Sequence, residues 1–207
     1  MAESSRPVPR LIAFSDTSRA EPALLVERFT RLGASAHAGR VLFVLRDYGL
    51  PVRERFALGQ RLSEVARSTE QLFGLAERAD LARALQCTAF HLPRGGLRAS
   101  DARRYFGPTV FLSRGSHEPA SEPEPELDAL LLSPIFEARK GRPPLGASAL
   151  GLRPMKGAPP SLFALGGVDA QNAAACLAAG AEGVAVIGAA LAPDPAPLLA
   201  ALGICRS

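Results

Sequence analysis

Two glycine-containing junctions near the carboxyl end of the chain carry residue types that bind a phosphate group. One apolar run ends in Gly166-Gly167, and the next ends in Ile187-Gly188. Glycine lets backbone N–H groups approach an anion without interference from a Cβ atom, and a helix N-terminus adds partial positive charge. We therefore predict that these four residues form a phosphate-binding cup. The alternative is that the glycines only permit tight turns.

A basic stretch at 137–142 is a second candidate for anion binding. It reads EARKGR and places Arg139, Lys140 and Arg142 within four positions. Arginine offers a planar fork of donors and lysine a point charge, and both pair with phosphate or pyrophosphate. The stretch is interpreted either as a ligand-binding loop or as a solvated basic loop.

These residues must be positioned by the elements around them, and the chain alternates short apolar runs with stretches of helical spacing. The runs that predict strands lie near 11–15, 41–46, 72–76, 88–92, 109–113, 128–134, 162–166 and 183–188. Helical spacing is clearest at 21–32, 53–67 and 169–179, where the last stretch ends at Gly180.

Alternation with short connections implies parallel strands, because each crossover needs a helix to return the chain across the sheet. Eight such units predict the α/β class and a compact (β/α)8 TIM barrel, shorter than the ~250 residues typical of that fold. A doubly wound open sheet is the rival, but it would want a glycine-rich turn after its first strand, and residues 11–17 contain no glycine.

The predicted barrel occupies residues 10–205 as one domain, preceded by a disordered tail at 1–9. Two segments interrupt the alternation. Residues 118–126 read EPASEPEPE, so the fifth helix is predicted to be short or replaced by an acidic loop. Residues 138–160 are rich in Gly, Pro and basic residues and are predicted to form a loop over the active face.

Composition excludes several classes of protein. The chain has 207 residues, a net charge of +4 with the arginines scattered, and no run of the ~18 apolar residues that a membrane span needs. We expect no nucleic-acid partner and no membrane partner. Three well-separated cysteines argue against a disulfide framework or a close-spaced zinc site and for a cytoplasmic protein.

Several of these runs recur together in a known family. The matching runs are VLRD at 44–47, ADLARAL at 79–85, AFHL at 89–92, DALLLSPIF at 128–136, PLG at 144–146, ALGGV at 164–168 and AGAEGVAV at 179–186. In this order and spacing the chain resembles the thiamine phosphate synthase and TenI family over roughly residues 10–192.

The resemblance implies a (β/α)8 barrel that binds a hydroxyethylthiazole phosphate, with the phosphate in the glycine cup. In synthases of this family, the thiazole nitrogen displaces pyrophosphate from an aminopyrimidine methyl pyrophosphate, and Mg²⁺ neutralises the leaving group. TenI-like members instead move a proton to aromatise a thiazole phosphate carboxylate.

The chain departs from the synthase pattern on both sides of Arg46, which matches a family substrate-binding arginine. The pattern has Gln two residues before this arginine and Lys two residues after it, where this chain has Val44 and Tyr48. Two polar contacts to the pyrimidine or the pyrophosphate are therefore missing.

The metal-binding part of the pattern also differs. The family expects Asn-Asp after the third strand, with the Asp on Mg²⁺, and here Glu77 stands at the Asp position. A second family Asp falls on Gly96. Glu77 is the predicted metal ligand if Mg²⁺ is used, and no cofactor is certain. Arg94 could supply part of the missing positive charge to a phosphate or carboxylate ligand, which favours the TenI-like branch.

Proton transfer needs a group with a pKa near neutrality, and histidine is the usual choice. His117 matches in type the loop histidine of TenI-like members and is the predicted general acid or base; a solvated loop histidine is the alternative. His91, inside the fourth strand, is predicted to contact substrate or to be buried in the core. His37 is interpreted as a surface residue. Lys140 matches the family's sixth-strand lysine and is the second predicted catalytic residue.

Three functions follow as hypotheses. The first is TenI-like proton transfer on a thiazole phosphate by His117. The second is condensation to thiamine phosphate, with Glu77 and Lys140 steadying Mg²⁺–pyrophosphate. The third is a barrel that has kept its phosphate cup, lost catalysis and acts as a binding module. In each hypothesis the partner is a phosphorylated thiazole-type small molecule. Whether the chain forms a homo-oligomer is left open.

Overall fold

The fold is a closed barrel of eight parallel strands. The computed structural model describes residues 8–93, 95–118, 124–139, 141–152 and 160–206. The strands, each paired with its neighbours in sequence order and β1 with β8, are β1 (Leu11–Phe14), β2 (Val41–Leu45), β3 (Leu72–Ala76), β4 (Ala89–Leu92), β5 (Phe111–Ser116), β6 (Ala129–Leu132), β7 (Ser161–Leu165) and β8 (Gly183–Val186). The predicted (β/α)8 TIM barrel is confirmed. Residues 1–7 of the predicted tail lie outside the described residues.

Helices cover the outside of this barrel. They are α1 (Pro22–Ala34), α2 (Val52–Ser68), α3 (Ala79–Ala84), α4 (Ala99–Phe106), α5 (Ala173–Ala178) and α6 (Ala196–Ala201), with 3₁₀ turns at Ala147–Gly151 and Gly188–Leu191. None of the helices among the described residues is long and apolar enough to cross a membrane.

Helix α5 is shorter than the stretch 169–179 that the sequence predicts. The Asp169 carboxylate accepts hydrogen bonds from the backbone N–H groups of Gln171 and Asn172, at 2.8 and 3.3 Å. This side-chain turn delays the start of the helix to Ala173. At the other end, Gly180 has a φ of +106°, as the predicted glycine stop requires.

Strand β5 lies two residues later than predicted and runs through a glycine. The sequence predicts residues 109–113, whereas the ladder pairs Leu92 with Arg114 and Ser116 with Leu132. Pairing with β6, which continues through Gly115 to Ser116, keeps Gly115 extended, although glycine alone signals a turn. Of the acidic segment at 118–126, residues 119–123 lie outside the described part. Its far end is tied to β5 by an ion pair between Glu124 and Arg114.

Side chains that alternate along the strands divide the core into two layers. The outward-facing set packs under the helices. The inward-facing set fills the barrel with apolar groups, which are Ile12, Phe14, Leu42, Val44, Ala76, Ala89, Phe111, Ala129, Leu131, Phe163 and Ala185. Because this interior is packed, ligands are confined to the carboxyl ends of the strands, where loop residues and the last residues of the strands form the walls.

Candidate functional site

The carboxyl ends of the strands open on a cavity of about 300 Å³, which we call the mouth cavity. Its walls are Phe14, Arg46, Tyr48, Glu77, His91, Leu92, Pro93, Gly115, His117, Ser133, Pro134, Arg139, Arg142, Leu165 and Ile187. Four residues selected from the sequence, Arg46, Glu77, His91 and His117, thus line one cavity. Arg94 and Lys140 lie outside the described residues.

A second cavity of about 200 Å³ adjoins the first, and we call it the phosphate cavity after the cup that the sequence predicts there. All four predicted cup residues, Gly166, Gly167, Ile187 and Gly188, line it together with Arg19 and Arg139, among others. Arg139, Leu165 and Ile187 belong to the walls of both cavities. The sequence-predicted cup and the sequence-predicted mouth are therefore continuous.

The glycines of the phosphate cavity serve two different purposes. Gly167 has a φ of +70°, and a Cβ there would stand 2.8 Å from the Cβ of Glu137, so the turn itself requires glycine. Gly188 has no such constraint, because a Cβ there would meet only the Arg19 guanidinium, at 3.4 Å. Among the described residues, the N–H groups of Gly167 and Gly188 show no backbone acceptor. Gly188 is therefore the position where the lack of a side chain keeps the cavity open.

The helix after β7 contributes less to this cavity than the sequence suggests. The N–H groups of Gln171 and Asn172, which precede α5, donate to Asp169 rather than toward a ligand. The side chains of Arg19 and Arg139 add positive charge to the cavity wall. On the β8 side the 3₁₀ turn begins at Gly188, so a helical N-terminus lies at the cavity there, and its contribution to anion binding stays a prediction.

His117 follows directly after β5 and has a defined hydrogen-bond pattern. Its Nδ1 lies 2.7 Å from the carbonyl oxygen of Ser133. A carbonyl oxygen can only accept, so Nδ1 carries the hydrogen and the lone pair of the neutral ring is on Nε2. The ring is thus prepared to accept a proton at one identified atom.

His91 differs from His117 in its surroundings. Its side chain points into the barrel from β4, with Nδ1 3.0 Å from the Ser113 Oγ and its ring edge-on to Phe14 at 5.1 Å between centroids. Burial, with smaller effects from the charges of Arg46 and Arg114, lowers the pKa of His91 to about 4. His91 is therefore neutral at physiological pH and acts as a hydrogen-bonding group rather than a proton carrier.

The end of β2 is fastened to the loop after β1 by buried polar contacts. The Asp47 carboxylate accepts a hydrogen bond from the Ser15 hydroxyl and one from the Thr17 N–H, the latter at 2.5 Å. The Ser15 Oγ in turn accepts the Arg46 N–H at 2.9 Å. Asp47 was not selected from the sequence, because its role depends on a loop about 30 residues away in the chain.

A buried arginine, also missed by the sequence reasoning, lies beneath the mouth cavity. Arg55 of α2 is 4% exposed, donates through Nη2 to the Ala76 carbonyl and lies 5.5 Å from the Tyr48 ring centroid. Its signal in sequence is weak, since an arginine in a helix is usually solvated. The charges of Arg55 and Glu77 interact, so Glu77 faces a cation held by the protein.

Glu77 itself has an unusual backbone. Glu77 and Arg78, which follow β3, have φ values of +56° and +48°. The left-handed region is rare for residues other than Gly, Asn and Asp, and each such residue costs about 1–2 kcal/mol. A hydrogen bond from the Glu77 N–H to the His91 carbonyl, at 3.1 Å, fixes this turn beside the cavity.

The described residues do not fit a preformed magnesium site. Among them, no group of three or more His, Cys, Asp or Glu side chains is placed to hold a metal ion. Glu77 is the single carboxylate in the mouth cavity wall, which also contains Arg46, Arg139 and Arg142. Magnesium prefers octahedral oxygen ligands, usually with one or two carboxylates, whereas the charged side chains of this wall are one carboxylate and three guanidinium groups.

Comparisons with known proteins agree with the barrel fold. A family model described as thiamine monophosphate synthase matches residues 17–190. The chain belongs to the thiamine monophosphate synthase family. The resemblance drawn from the motif runs is thereby confirmed.

Named relatives of the thiamine monophosphate synthase family cover most of the chain. A thiamine-phosphate synthase of Thermus thermophilus is 36% identical over 77% of this chain and 80% of its own. One of Moorella thermoacetica is 33% identical over 74% of this chain and 75% of its own. A solved structure of a thiamine phosphate pyrophosphorylase from Pyrococcus furiosus superposes with a TM-score of 0.74 over 94% of this chain and 95% of that one; at 21% identity it supports the fold.

Proposed function

We propose that this protein condenses a thiazole phosphate with an aminopyrimidine methyl pyrophosphate to give thiamine phosphate. The observation that carries the proposal is the pair of adjoining cavities, which share Arg139, Leu165 and Ile187. One cavity suits a phosphate monoester and the other suits a second, pyrophosphate-bearing ring. The relatives named thiamine-phosphate synthase support this reaction over the tautomerase that the altered motifs favoured.

The reaction is a displacement at carbon. The thiazole nitrogen lone pair forms a C–N bond to the pyrimidine methylene, the C–O bond breaks, and pyrophosphate leaves with the electron pair. Arg46, Arg139 and Arg142 of the mouth cavity stabilise this leaving anion, because guanidinium groups pair with phosphate oxygens through two parallel hydrogen bonds. Lys140 and Arg94 remain predicted contributors of positive charge.

In this proposal the phosphate cavity fixes the nucleophile. Backbone N–H groups at Gly167 and Gly188 bind the phosphate of the thiazole and set the distance between its ring and the pyrimidine methylene. His91, neutral and hydrogen-bonded to Ser113, presents its other ring nitrogen to the substrate without changing charge as the reaction proceeds.

One observation favours a second candidate, proton transfer on a thiazole phosphate carboxylate. The bond from the His117 Nδ1 to the Ser133 carbonyl leaves Nε2 free to take a proton from a ring carbon and return it at another position. Such a tautomerisation balances within a single substrate. It needs neither the pyrimidine nor its leaving pyrophosphate.

A turnover assay separates the candidates. Purified full-length protein is incubated with thiazole phosphate, pyrimidine pyrophosphate and Mg²⁺, and in parallel with the thiazole carboxylate tautomer alone. Formation of thiamine phosphate supports the synthase, and its absence from an assay with saturating substrates refutes it. Tautomer turnover in that case supports the second candidate. Binding of thiazole phosphate without either reaction supports the non-catalytic module.

A further inference from the structure

Arg19, in the loop between β1 and α1, stands at the rim of the phosphate cavity. Its Nη1 lies 3.4 Å from the place that a Cβ on Gly188 would occupy. The side chain is 58% exposed, so the guanidinium reaches over the cavity from the solvent side. An arginine at the open edge of a glycine-lined cavity can bind an anion that backbone N–H groups hold from below.

The opposite edge of the same guanidinium is held by a carboxylate. The Arg19 Nε lies 3.5 Å from Oδ2 of Asp16. That oxygen also accepts from the Arg46 Nη2, at 3.0 Å. Asp16 therefore contacts two guanidinium groups, one at each cavity, and leaves the Nη1 side of Arg19 directed toward Gly188.

Asp16 is itself held in place. Its Oδ1 accepts the Ser18 N–H at 3.1 Å, and the neighbouring Thr17 N–H donates to Asp47. Burial acts to raise the pKa of Asp16, but the hydrogen bonds from Ser18 and the charges of Arg46 and Arg19 keep it below its usual value. The carboxyl group is therefore ionised at neutral pH and can orient both arginines.

We propose that Arg19 binds the phosphate group of the ligand and that Asp16 is the positioning residue that orients Arg19 and Arg46 together. Arg19 then makes the site selective for a phosphate ester over the corresponding alcohol. Only the identity of the organic part of the ligand rests on the proposed function, because the contact with phosphate follows from the cavity itself.

Calorimetric titration of the full-length chain tests the role of Arg19, with inorganic phosphate, thiazole phosphate and the unphosphorylated hydroxyethylthiazole as probes. Arg19→Ala is expected to weaken the binding of both phosphate-bearing probes about tenfold or more, which is about 1.4 kcal/mol, since hydrogen bonds from a guanidinium to a phosphate are among the stronger ones. The alcohol should be unaffected. Unchanged affinity for inorganic phosphate would overturn the assignment.

Two variants control for charge and for folding. Arg104 of α4 also pairs with a carboxylate three residues earlier, Asp101, at 2.8 Å, and it lines neither cavity. Arg104→Ala removes the same charge and should leave phosphate affinity within about twofold. Arg19→Lys keeps the charge but loses the planar fork, so an intermediate affinity is expected; wild-type affinity would show that general charge suffices and would refute a directed contact.

The variant Asp16→Asn tests whether the Asp16 carboxylate orients Arg19 or competes with the phosphate ligand for it. If Asp16 orients Arg19, the variant weakens phosphate binding severalfold, and the double variant Asp16→Asn/Arg19→Ala binds no more weakly than Arg19→Ala alone. Tighter phosphate binding by Asp16→Asn would mean that the carboxylate only competes with the ligand. That result would overturn the positioning role.

The test of the Arg19 role can fail or succeed independently of the test of the proposed synthase activity. Loss of inorganic phosphate binding in Arg19→Ala supports the inference even in a protein that forms no thiamine phosphate. Conversely, wild-type synthase turnover in Arg19→Ala with unchanged KM for thiazole phosphate would retain the proposed function and refute this role of Arg19.

Discussion

The Nδ1 of His117 is hydrogen-bonded to the carbonyl oxygen of Ser133 at 2.7 Å, which connects the end of β5 to the residue after β6. This contact selects one tautomer of the neutral ring. It therefore assigns any proton transfer by His117 to Nε2.

Replacing His117 with alanine should separate the two candidate reactions. General acid–base catalysis contributes about 10²–10⁴-fold, so tautomerisation should fall by at least about 100-fold. Condensation needs no proton from this residue and should fall by less than about tenfold, by the same reasoning on proton transfer. The two turnover rates are measured on one preparation. His37→Ala, at an exposed position, is the matched control. Equal losses in both reactions would assign His117 to binding or structure.

Gly188→Ala should block the phosphate cavity without unfolding the barrel. The added methyl meets only the end of the exposed Arg19 side chain, at 3.4 Å, so the free energy of unfolding should change by less than about 1 kcal/mol. The Kd for inorganic phosphate should rise about tenfold or more, because the methyl stands where the anion approaches the backbone. Gly49→Ala is the control, since its Cβ would have open space. Phosphate binding equal to wild type in Gly188→Ala would mean that the cavity binds no anion at Gly188.

Stability should depend on pH through His91. Its pKa is about 4 in the folded protein and 6.5 without the protein environment, so the unfolded chain binds more protons between these values. Stability therefore rises with pH across this window and is lost as pH falls from about 6.5 to about 4, by roughly 3 kcal/mol.

Denaturant unfolding at several pH values measures this effect. His91→Gln should flatten the profile between about pH 4 and 6.5, whereas His37→Gln should keep the wild-type slope. An unchanged slope in His91→Gln would refute the assignment to this ring.

Asp47→Ala should destabilise the protein by about 2 kcal/mol or more, because the variant leaves the buried Ser15 hydroxyl and the partly buried Thr17 N–H without their acceptor. Asp101→Ala removes a carboxylate from an exposed ion pair and should cost less than about 1 kcal/mol. The two free energies of unfolding are compared by urea titration. Similar values would mean that Asp47 does not hold the loop.

The free protein should bind Mg²⁺ only weakly. Among the described residues, the mouth cavity wall contains one carboxylate, and no cluster of ligands is placed for a metal. Titration of Mg²⁺ into protein without substrate should give no saturable heat at concentrations up to about 1 mM, whereas titration in the presence of pyrophosphate can bring the ion in with the anion. Submillimolar binding to the free protein would show that a magnesium site is already formed without substrate.

The features that the sequence alone could predict are those carried by local pattern. Apolar runs separated by helical spacing predicted the barrel. The glycines after β7 and β8 lie together in one cavity, as their position at strand ends indicated, and phosphate binding there stays a prediction. The prediction for β5 ended too early, because the sequence does not show the pairing with β6 that keeps Gly115 extended.

The sequence did not indicate residues whose role depends on side chains that the fold brings together from distant parts of the chain. Arg19 and Asp16 lie in a short polar loop with no motif of their own, and their meaning comes from Gly188 and Arg46, which are distant in sequence. Arg55 looked like an ordinary helix arginine until the fold placed it under Tyr48. Spatial neighbours of this kind cannot be inferred from spacing within one chain.

The left-handed pair at Glu77 and Arg78 has a consequence for laboratory evolution. Selection for heat tolerance alone should replace these residues with glycine or asparagine, which adopt the same backbone at little cost. Selection for catalytic output should instead preserve Glu77, whose side chain lines the mouth cavity, while Arg78 stays free to change. The residues found at positions 77 and 78 in the selected variants would then show whether the strained turn is needed for catalytic activity.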